Sequence, residues 1–184
     1  MPGAAATTVS DGYLTHFDGR SALCYKHPIM ALDAPHIITA LTTLIIVIAS
    51  VIVHYEGLSG LTKWVSLDLL PPRARIATLI FGQLILHVIE IWIFAAGYYV
   101  LTQMLEFGTL LQSAYLGAEL PLIMGFADYV YYSATVYSTL GFGDLVPHGP
   151  VRLLTGMEAV LGLVLITWSA SFTFLEMQRY WGRD

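Results

Sequence analysis

Residues 135–144 read Thr-Val-Tyr-Ser-Thr-Leu-Gly-Phe-Gly-Asp. This stretch is the strongest indication of fold in the chain. Its two glycines, Gly141 and Gly143, stand on either side of one aromatic residue. Glycine adopts backbone conformations that residues with a Cβ atom resist. Alternating glycines therefore allow successive carbonyl groups to point to the same side of the chain.

The residues around the glycines extend this row of oxygen atoms. Thr139 adds a side-chain hydroxyl just below the carbonyl groups, and Asp144 follows the second glycine. One copy of the segment would form an unusual loop. Four copies around an axis would form stacked rings of oxygen, which can take the place of water around a dehydrated monovalent cation.

The segment Thr139–Asp144 resembles the signature of the potassium-channel pore family, which carries Thr-Val-Gly-Tyr-Gly-Asp at this place. The resemblance continues upstream through residues 131–135, Tyr-Tyr-Ser-Ala-Thr, and downstream through Pro147 and Gly162. The chain is similar to small bacterial ion-channel proteins that have a pore loop and no attached regulatory domain. The resemblance implies a potassium-selective channel, with a weakly selective monovalent cation channel as the alternative.

The composition is that of a membrane protein. The 184 residues are 57% hydrophobic and only 11% charged, whereas about a quarter of the residues in a soluble domain are charged. The net charge of −5 argues against nucleic acid as a main partner. We expect a homotetramer in a lipid bilayer, with no small-molecule substrate, no enzymatic activity and no cofactor, since K⁺ would be the permeant ligand.

Three apolar segments are long enough to cross a bilayer, namely residues 37–53, 76–101 and 153–175. A fourth helical pattern follows Asp128, the expected N-cap, and ends at residue 138. Its ten residues cover only about 15 Å, so this helix must enter the membrane and return by extended backbone. The sequence predicts an all-α membrane protein with three transmembrane helices plus a re-entrant pore helix and a selectivity-filter loop.

The chain is expected to have three parts. Residues 1–35 form an N-terminal tail outside the cytoplasm, and residues 36–75 form an extra first transmembrane helix, ending near His54, with a cytoplasmic linker. Residues 76–184 form the pore domain. Within it we expect an outer helix at 76–101, a pore helix at 128–138, the filter at 139–144 and an inner helix at 152–178.

The basic residues predict the orientation in the membrane. Three Lys or Arg residues lie in the linker 56–75 and two follow the last apolar segment, but none lies in residues 102–151. Because short cytoplasmic loops are enriched in Lys and Arg, we expect a multi-pass protein of the inner cell membrane. Its N-terminus lies outside and its C-terminus lies in the cytoplasm.

By the resemblance, K⁺ is coordinated in the filter by the backbone carbonyl groups of Thr139, Leu140, Gly141 and Phe142 and by the Thr139 hydroxyl, and Gly143 completes the filter. The resemblance also implies support from behind the filter by Tyr131, Tyr132, Thr135, Ser138 and Asp144.

Two residues depart from the family pattern. Phe142 replaces the more common tyrosine, so one hydroxyl hydrogen bond behind the filter is missing. Thr135 stands where some members carry glutamate. Asp144 therefore needs another partner, for which Tyr131, Tyr132 and water are the alternatives.

Polar residues within the apolar segments predict a buried network of His87, Glu90 and Glu158. His87 and Glu90 are three residues apart, so they share one helix face. Glu158 has three interpretations: it pairs with His87 or Glu90, it braces the pore helix, or it titrates as a pH-sensitive gate. Gly162 stands where the family has a hinge glycine, and a close helix contact is the alternative. Phe174 is the expected constriction at the cytoplasmic end.

The sequence leaves two further functions as alternatives. A membrane metalloenzyme would use His54, His87, Glu90 and Glu158, but these residues lack the His-Glu-x-x-His spacing and leave the glycine pattern unexplained. A non-conducting scaffold would retain the loop without using it, and a silent Gly143→Ala substitution would favour that interpretation.

Overall fold

The computed structural model describes residues 33–65, 71–112 and 125–181. Its elements are, in chain order, α1 (Ala34–Val65), α2 (Pro72–Tyr99), a π-helical turn (Val100–Met104), β1 (Thr109–Gln112), α3 (Phe126–Tyr137), β2 (Leu145–His148) and α4 (Arg152–Trp181). Nearly all of the expected N-terminal tail and the centre of the linker, residues 1–32 and 66–70, lie outside the described residues.

Within the described residues, three helices are long and apolar enough to cross a membrane, over Ala34–Trp64, Ala74–Met104 and Arg152–Arg179. This confirms the predicted all-α membrane protein. The fourth helix, α3, has 12 residues and covers about 18 Å, which is less than the roughly 30 Å of the hydrocarbon core. It therefore cannot cross.

The first helix is longer than predicted. We expected residues 37–53 and an end at the membrane interface near His54, but α1 continues to Val65 and buries His54 completely. Helix α2 packs along this extension, with the Leu86 side chain directly against Gly57. A glycine lets two helices approach closely, so the protein interior extends past His54 and the expected end was wrong.

The short helix also begins earlier than predicted. It starts at Phe126, and Gly125 rather than Asp128 is its N-cap. Asp128 is the third helical residue, and its Oδ2 accepts the backbone N–H of Gly125 at 2.8 Å. A carboxylate at this position satisfies an otherwise unpaired N–H at the helix start, so Asp128 caps the helix from inside.

Two short strands were not predicted. Strand β1 pairs with β2 in antiparallel register, with Thr109 opposite His148 and Gln112 opposite Leu145. Each strand has four residues and β2 contains Pro147, which is compatible only with an edge position. The pairing attaches the chain that follows the 139–144 loop to the segment that follows α2 and its π-helical turn.

The core lies where α2, α3 and α4 meet, and α1 packs against α2 and α4 and contributes Ile46 to it. Aromatic side chains from α2 and α3 occupy its centre, and aliphatic side chains from α4 close it. This packing holds α3 and the loop after it at a defined place. The core residues include Ile46, Phe94, Tyr98, Leu101, Tyr129, Tyr132, Val136, Leu154, Leu161 and Leu165.

Candidate functional site

The loop that follows α3 leaves the helix through a Schellman motif. The backbone N–H of Thr139 donates to the carbonyl of Val136 at 2.9 Å, and that of Leu140 donates to the carbonyl of Thr135 at 2.9 Å. This pair of bonds requires a left-handed residue directly after the helix cap, and Thr139 has a φ of +59° there. Glycine usually holds that position, so the threonine backbone carries a strain of about 1–2 kcal/mol.

Successive peptide groups in the loop point the same way. The N–H groups of Thr139, Leu140 and Gly141 all point back to carbonyl groups of the helix, since Gly141 also donates to Thr135 at 3.1 Å. In a planar trans peptide the C=O group points opposite to the N–H group. The carbonyl groups of Ser138, Thr139 and Leu140 therefore point away from α3.

Left-handed backbone recurs at every second residue of the loop. Thr139, Gly141 and Gly143 have φ values of +59°, +50° and +76°, and positive φ is not found at Leu140 or Phe142 between them. At residues 139–141 this backbone accompanies N–H groups that are gathered on one side of the chain and carbonyl groups that lie on the other, as the glycine pattern predicts.

Asp144 connects the far end of the loop to α3. The Tyr131 hydroxyl donates to Asp144 Oδ2 at 2.8 Å, and Asp144 Oδ1 accepts the backbone N–H of Leu145 at 3.0 Å. The hydrogen bond to Asp144 raises the pKa of Tyr131, so the phenol keeps the proton that it donates. Tyr131 is thus the protein partner of Asp144, whereas Tyr132 bonds to Thr155 of α4 at 3.1 Å.

The hydroxyl groups of Thr135 and Ser138 are used within the helix. Thr135 donates to the carbonyl of Tyr132 at 2.8 Å, and Ser138 donates to that of Ala134 at 2.7 Å. Neither hydroxyl reaches the loop. The contact of Thr135 with the loop comes instead from its backbone carbonyl, which accepts two loop N–H groups.

The side chains of the loop are exposed in the single chain. Leu140 and Phe142 have 58% and 64% of their surface exposed, although both are large and apolar. Large apolar side chains exposed on a loop are suited to contact with lipid or with further protein.

A polar cluster behind the loop contains Glu158 of α4, which is completely buried. Its two oxygens accept hydrogen bonds from Ser133 of α3 and from Tyr98 of α2, each at 2.5 Å. The expected pairing with His87 or Glu90 is therefore wrong, and the carboxyl group braces the short helix against α2 and α4. Tyr98 lies eight residues beyond Glu90, which is about 12 Å along a helix, so Glu158 meets α2 at a different level.

Replacing Glu158 by alanine is expected to lower the free energy of unfolding by about 3–5 kcal/mol, because two buried hydroxyl groups lose their acceptor. Glu158→Gln should cost less than about 1 kcal/mol. Glutamine accepts from Tyr98 and donates to Ser133, whose own proton can then bond the Ile91 carbonyl at 2.9 Å. Thermal unfolding of the detergent-solubilised protein measures the difference, and equal losses for the two variants would contradict the bracing role.

A second polar cluster surrounds Glu90 of α2, which is also completely buried. Its Oε1 lies 2.7 Å from Nδ1 of His54 in α1, and its Oε2 lies 3.2 Å from Nδ1 of His87. Oε2 also accepts the hydroxyl of Tyr137, the last residue of α3. His54 Nε2 lies 3.3 Å from Ser169 Oγ in α4. The cluster therefore connects all four helices.

The predicted network lacks five members of these clusters, namely His54, Tyr98, Ser133, Tyr137 and Ser169. The signal for Tyr98 was available, because residues 90, 94 and 98 recur at intervals of four and share a buried helix face. His54 was assigned to the membrane interface because it ends an uncharged run. Nothing in the pattern distinguished Ser133 from its neighbours.

Helix α4 passes the end of α3 at Gly162. A Cβ atom at this position would overlap the backbone carbonyl of Tyr137, so the missing side chain permits the contact. The geometry thus supports a close helix contact, and the hinge role of Gly162 stays a prediction. Phe174 is 59% exposed in the single chain, and its role as a constriction also stays a prediction.

A family model described as "Ion channel" matches residues 76–179, which is more than half of the chain. The match begins within α2, includes α3 and the 139–144 loop, and ends within α4. Helix α1 lies outside it. No curated protein and no solved structure gives a significant match.

Proposed function

We propose, because the chain belongs to the ion channel family, that four copies form a potassium-selective pore through which K⁺ moves passively across the membrane. The filter would be the 139–143 loop, and no reaction would be catalysed. The proposed ligands of K⁺ are the backbone carbonyl groups of Thr139, Leu140, Gly141 and Phe142 together with the Thr139 hydroxyl.

One observation carries this proposal: the N–H groups of Thr139, Leu140 and Gly141 all point back to α3. Their peptide partners, the carbonyl groups of residues 138–140, therefore point to the opposite side, and those of Thr139 and Leu140 are two of the proposed ligands. Oxygen dipoles without a partner are what a dehydrated K⁺ needs in place of its water. Thr139 also holds a left-handed position where glycine is the usual residue, and strain of this kind is concentrated at functional sites.

A single chain supplies one row of oxygens, so the coordination shell requires further copies of the loop. Closed cyclic symmetry gives every copy the same surroundings. Four copies around one axis would also cover the exposed side chains of Leu140 and Phe142. The homotetramer is therefore part of the proposal.

The buried clusters give the filter its support. Glu158 holds α3 from the side, and the Tyr131–Asp144 hydrogen bond closes the loop at its far end. A filter must keep its oxygens at a fixed spacing to distinguish ions by their coordination. These contacts supply stiffness that the exposed loop lacks by itself.

The proposed location is the inner cell membrane, with the N-terminus outside and the C-terminus in the cytoplasm. The absence of Lys and Arg from residues 102–151 supports an external position for the loop side. The Asp144 end of the filter would then face the outside.

A weakly selective monovalent cation channel is the second candidate, and Phe142 favours it. A phenylalanine cannot form the hydroxyl hydrogen bond that a tyrosine would form behind the filter. With less lateral restraint, the oxygen rings would adapt to Na⁺ as well as to K⁺.

Ion flux from proteoliposomes tests the proposal. Vesicles containing the purified chain and loaded with K⁺ are expected to release it rapidly, whereas vesicles loaded with Na⁺ should release it at the rate of protein-free vesicles. Equal release of both ions would establish the weakly selective channel instead. No release of either ion from vesicles that contain the intact assembly would support the scaffold.

A further inference from the structure

We infer that His54, His87 and Glu90 form a binding site for a transition-metal dication such as Zn²⁺. The three side chains come from α1 and α2, and one ligand atom of each lies within 4.8 Å of the others. None of them belongs to the row of backbone carbonyl groups. The inference therefore stands independently of the proposed conduction path.

The donor set selects a class of metal. Two imidazole nitrogens and one carboxylate oxygen are a common three-ligand set for Zn²⁺, with a fourth position left for water or another group. Nitrogen donors favour Zn²⁺, Co²⁺, Ni²⁺ and Cu²⁺ over the oxygen-seeking Mg²⁺ and Ca²⁺.

The spacing of the donors is close to that of a coordination shell. Zinc bonds to nitrogen and oxygen measure about 2.0–2.2 Å, which places tetrahedral ligands about 3.3 Å from one another. The carboxylate oxygens of Glu90 lie 2.7 Å from His54 Nδ1 and 3.2 Å from His87 Nδ1. Binding of one ion would draw the three ligand atoms, which lie within 4.8 Å of one another, together around it in place of the shared protons. Tyr137 Oη lies 2.8 Å from His87 Nδ1, so a further oxygen stands beside this ligand.

The outer contacts orient the ligands as metal sites require. His54 directs Nδ1 to Glu90, while its Nε2 lies 3.3 Å from Ser169 Oγ, so an imidazole bound through Nδ1 can donate its Nε2–H to this hydroxyl. Its ring also packs against His87 and Trp168, with centroids at 5.4 and 5.3 Å. The His87 side chain is 16% exposed, which gives an ion access to an otherwise buried cluster.

A titration of the full-length chain with Co²⁺ tests this site. The protein is purified in detergent, treated with a chelator, and followed by the visible absorption of tetrahedral Co²⁺. We expect one Co²⁺ per chain, displaced by Zn²⁺ and not by Mg²⁺. His87→Ala removes a ligand and should weaken Co²⁺ binding by more than about 100-fold. Ser169→Ala removes the hydrogen-bond partner of the ligand His54 and should weaken binding by about tenfold.

Matched controls separate loss of a ligand from loss of the fold. His148→Ala removes an exposed histidine of β2 and should leave binding unchanged. In the His87→Asn variant, the asparagine amide can still donate a hydrogen bond to Tyr137, but asparagine is a poor zinc ligand. This variant should lose metal binding and keep the unfolding temperature of the metal-free protein. Failure of the wild-type chain to bind Co²⁺, or undiminished binding by a His54→Ala/His87→Asn variant that retains the fold, would overturn the inference.

Discussion

Gly143→Ala is expected to reduce potassium flux by more than about 100-fold while leaving the assembly intact. Gly143 has a φ of +76°, and a Cβ atom there would meet no other atom of the chain within 4 Å. Within one chain, the substitution therefore acts through backbone conformation alone. Alanine in the left-handed region costs about 1–2 kcal/mol, and four copies around one axis would together cost about 4–8 kcal/mol. A loss of 100-fold corresponds to only about 2.7 kcal/mol.

The physical consequence of this strain is a change in the direction of a carbonyl group. The ring can relieve it by turning the peptide at residue 143, and the carbonyl group of that peptide would then leave the side of the chain on which the proposed filter gathers its oxygens. Potassium flux from proteoliposomes measures the effect, and elution from a size-exclusion column establishes that the assembly persists.

Gly156→Ala is the matched control for this variant. Gly156 lies in α4, and a Cβ atom there also meets nothing within 4 Å, but its backbone is not left-handed. This variant should conduct as the wild type does. Wild-type flux in the Gly143→Ala variant as well would mean that K⁺ does not pass through this loop.

The loop could be predicted from the sequence because its chemistry is local. The glycines at 141 and 143 predict the alternating backbone, and the structure has positive φ at both. Tyr131 was one of three alternatives for the partner of Asp144, and a short chain excursion between them brings the two together. The family and the all-α membrane fold were predicted correctly because they follow from composition and from one contiguous motif, both of which can be read directly from the sequence.

The polar clusters could not be predicted to the same degree, because their partners depend on how far one helix is shifted along another. Glu90 and Glu158 are both buried acids in apolar helices, yet they lie in different clusters with different tyrosines. The sequence around His54 shows only a histidine at the end of an uncharged run. The same pattern is found for a histidine that contacts lipid headgroups and for one that, like His54, contacts a buried carboxylate. The two strands were missed because four-residue segments are too short to establish an alternating pattern.

Gly162→Ala and Gly156→Ala, two substitutions in the same helix, are expected to change stability in opposite directions. At Gly162 the new methyl group would overlap the backbone carbonyl of Tyr137. A backbone atom cannot rotate away as a side chain can, so α3 and α4 must separate, at a cost of about 2–3 kcal/mol. At Gly156 the methyl group meets open space, and the better helix propensity of alanine should add up to about 1 kcal/mol of stability.

The same pair of variants distinguishes a close contact from a hinge at Gly162. Tyr137 comes two residues before Thr139, so displacement of its carbonyl moves the start of the loop, and we expect Gly162→Ala to lose more than about tenfold in potassium flux along with stability. Thermal unfolding and flux are measured on the same preparations. Gly162→Ala could instead keep the wild-type unfolding temperature and change only the fraction of time that the pore is open. In that case position 162 requires glycine for motion of α4 and not for the close contact. A loss of both properties, with Gly156→Ala unaffected or stabilised, would establish that the end of α3 needs α4 at this distance.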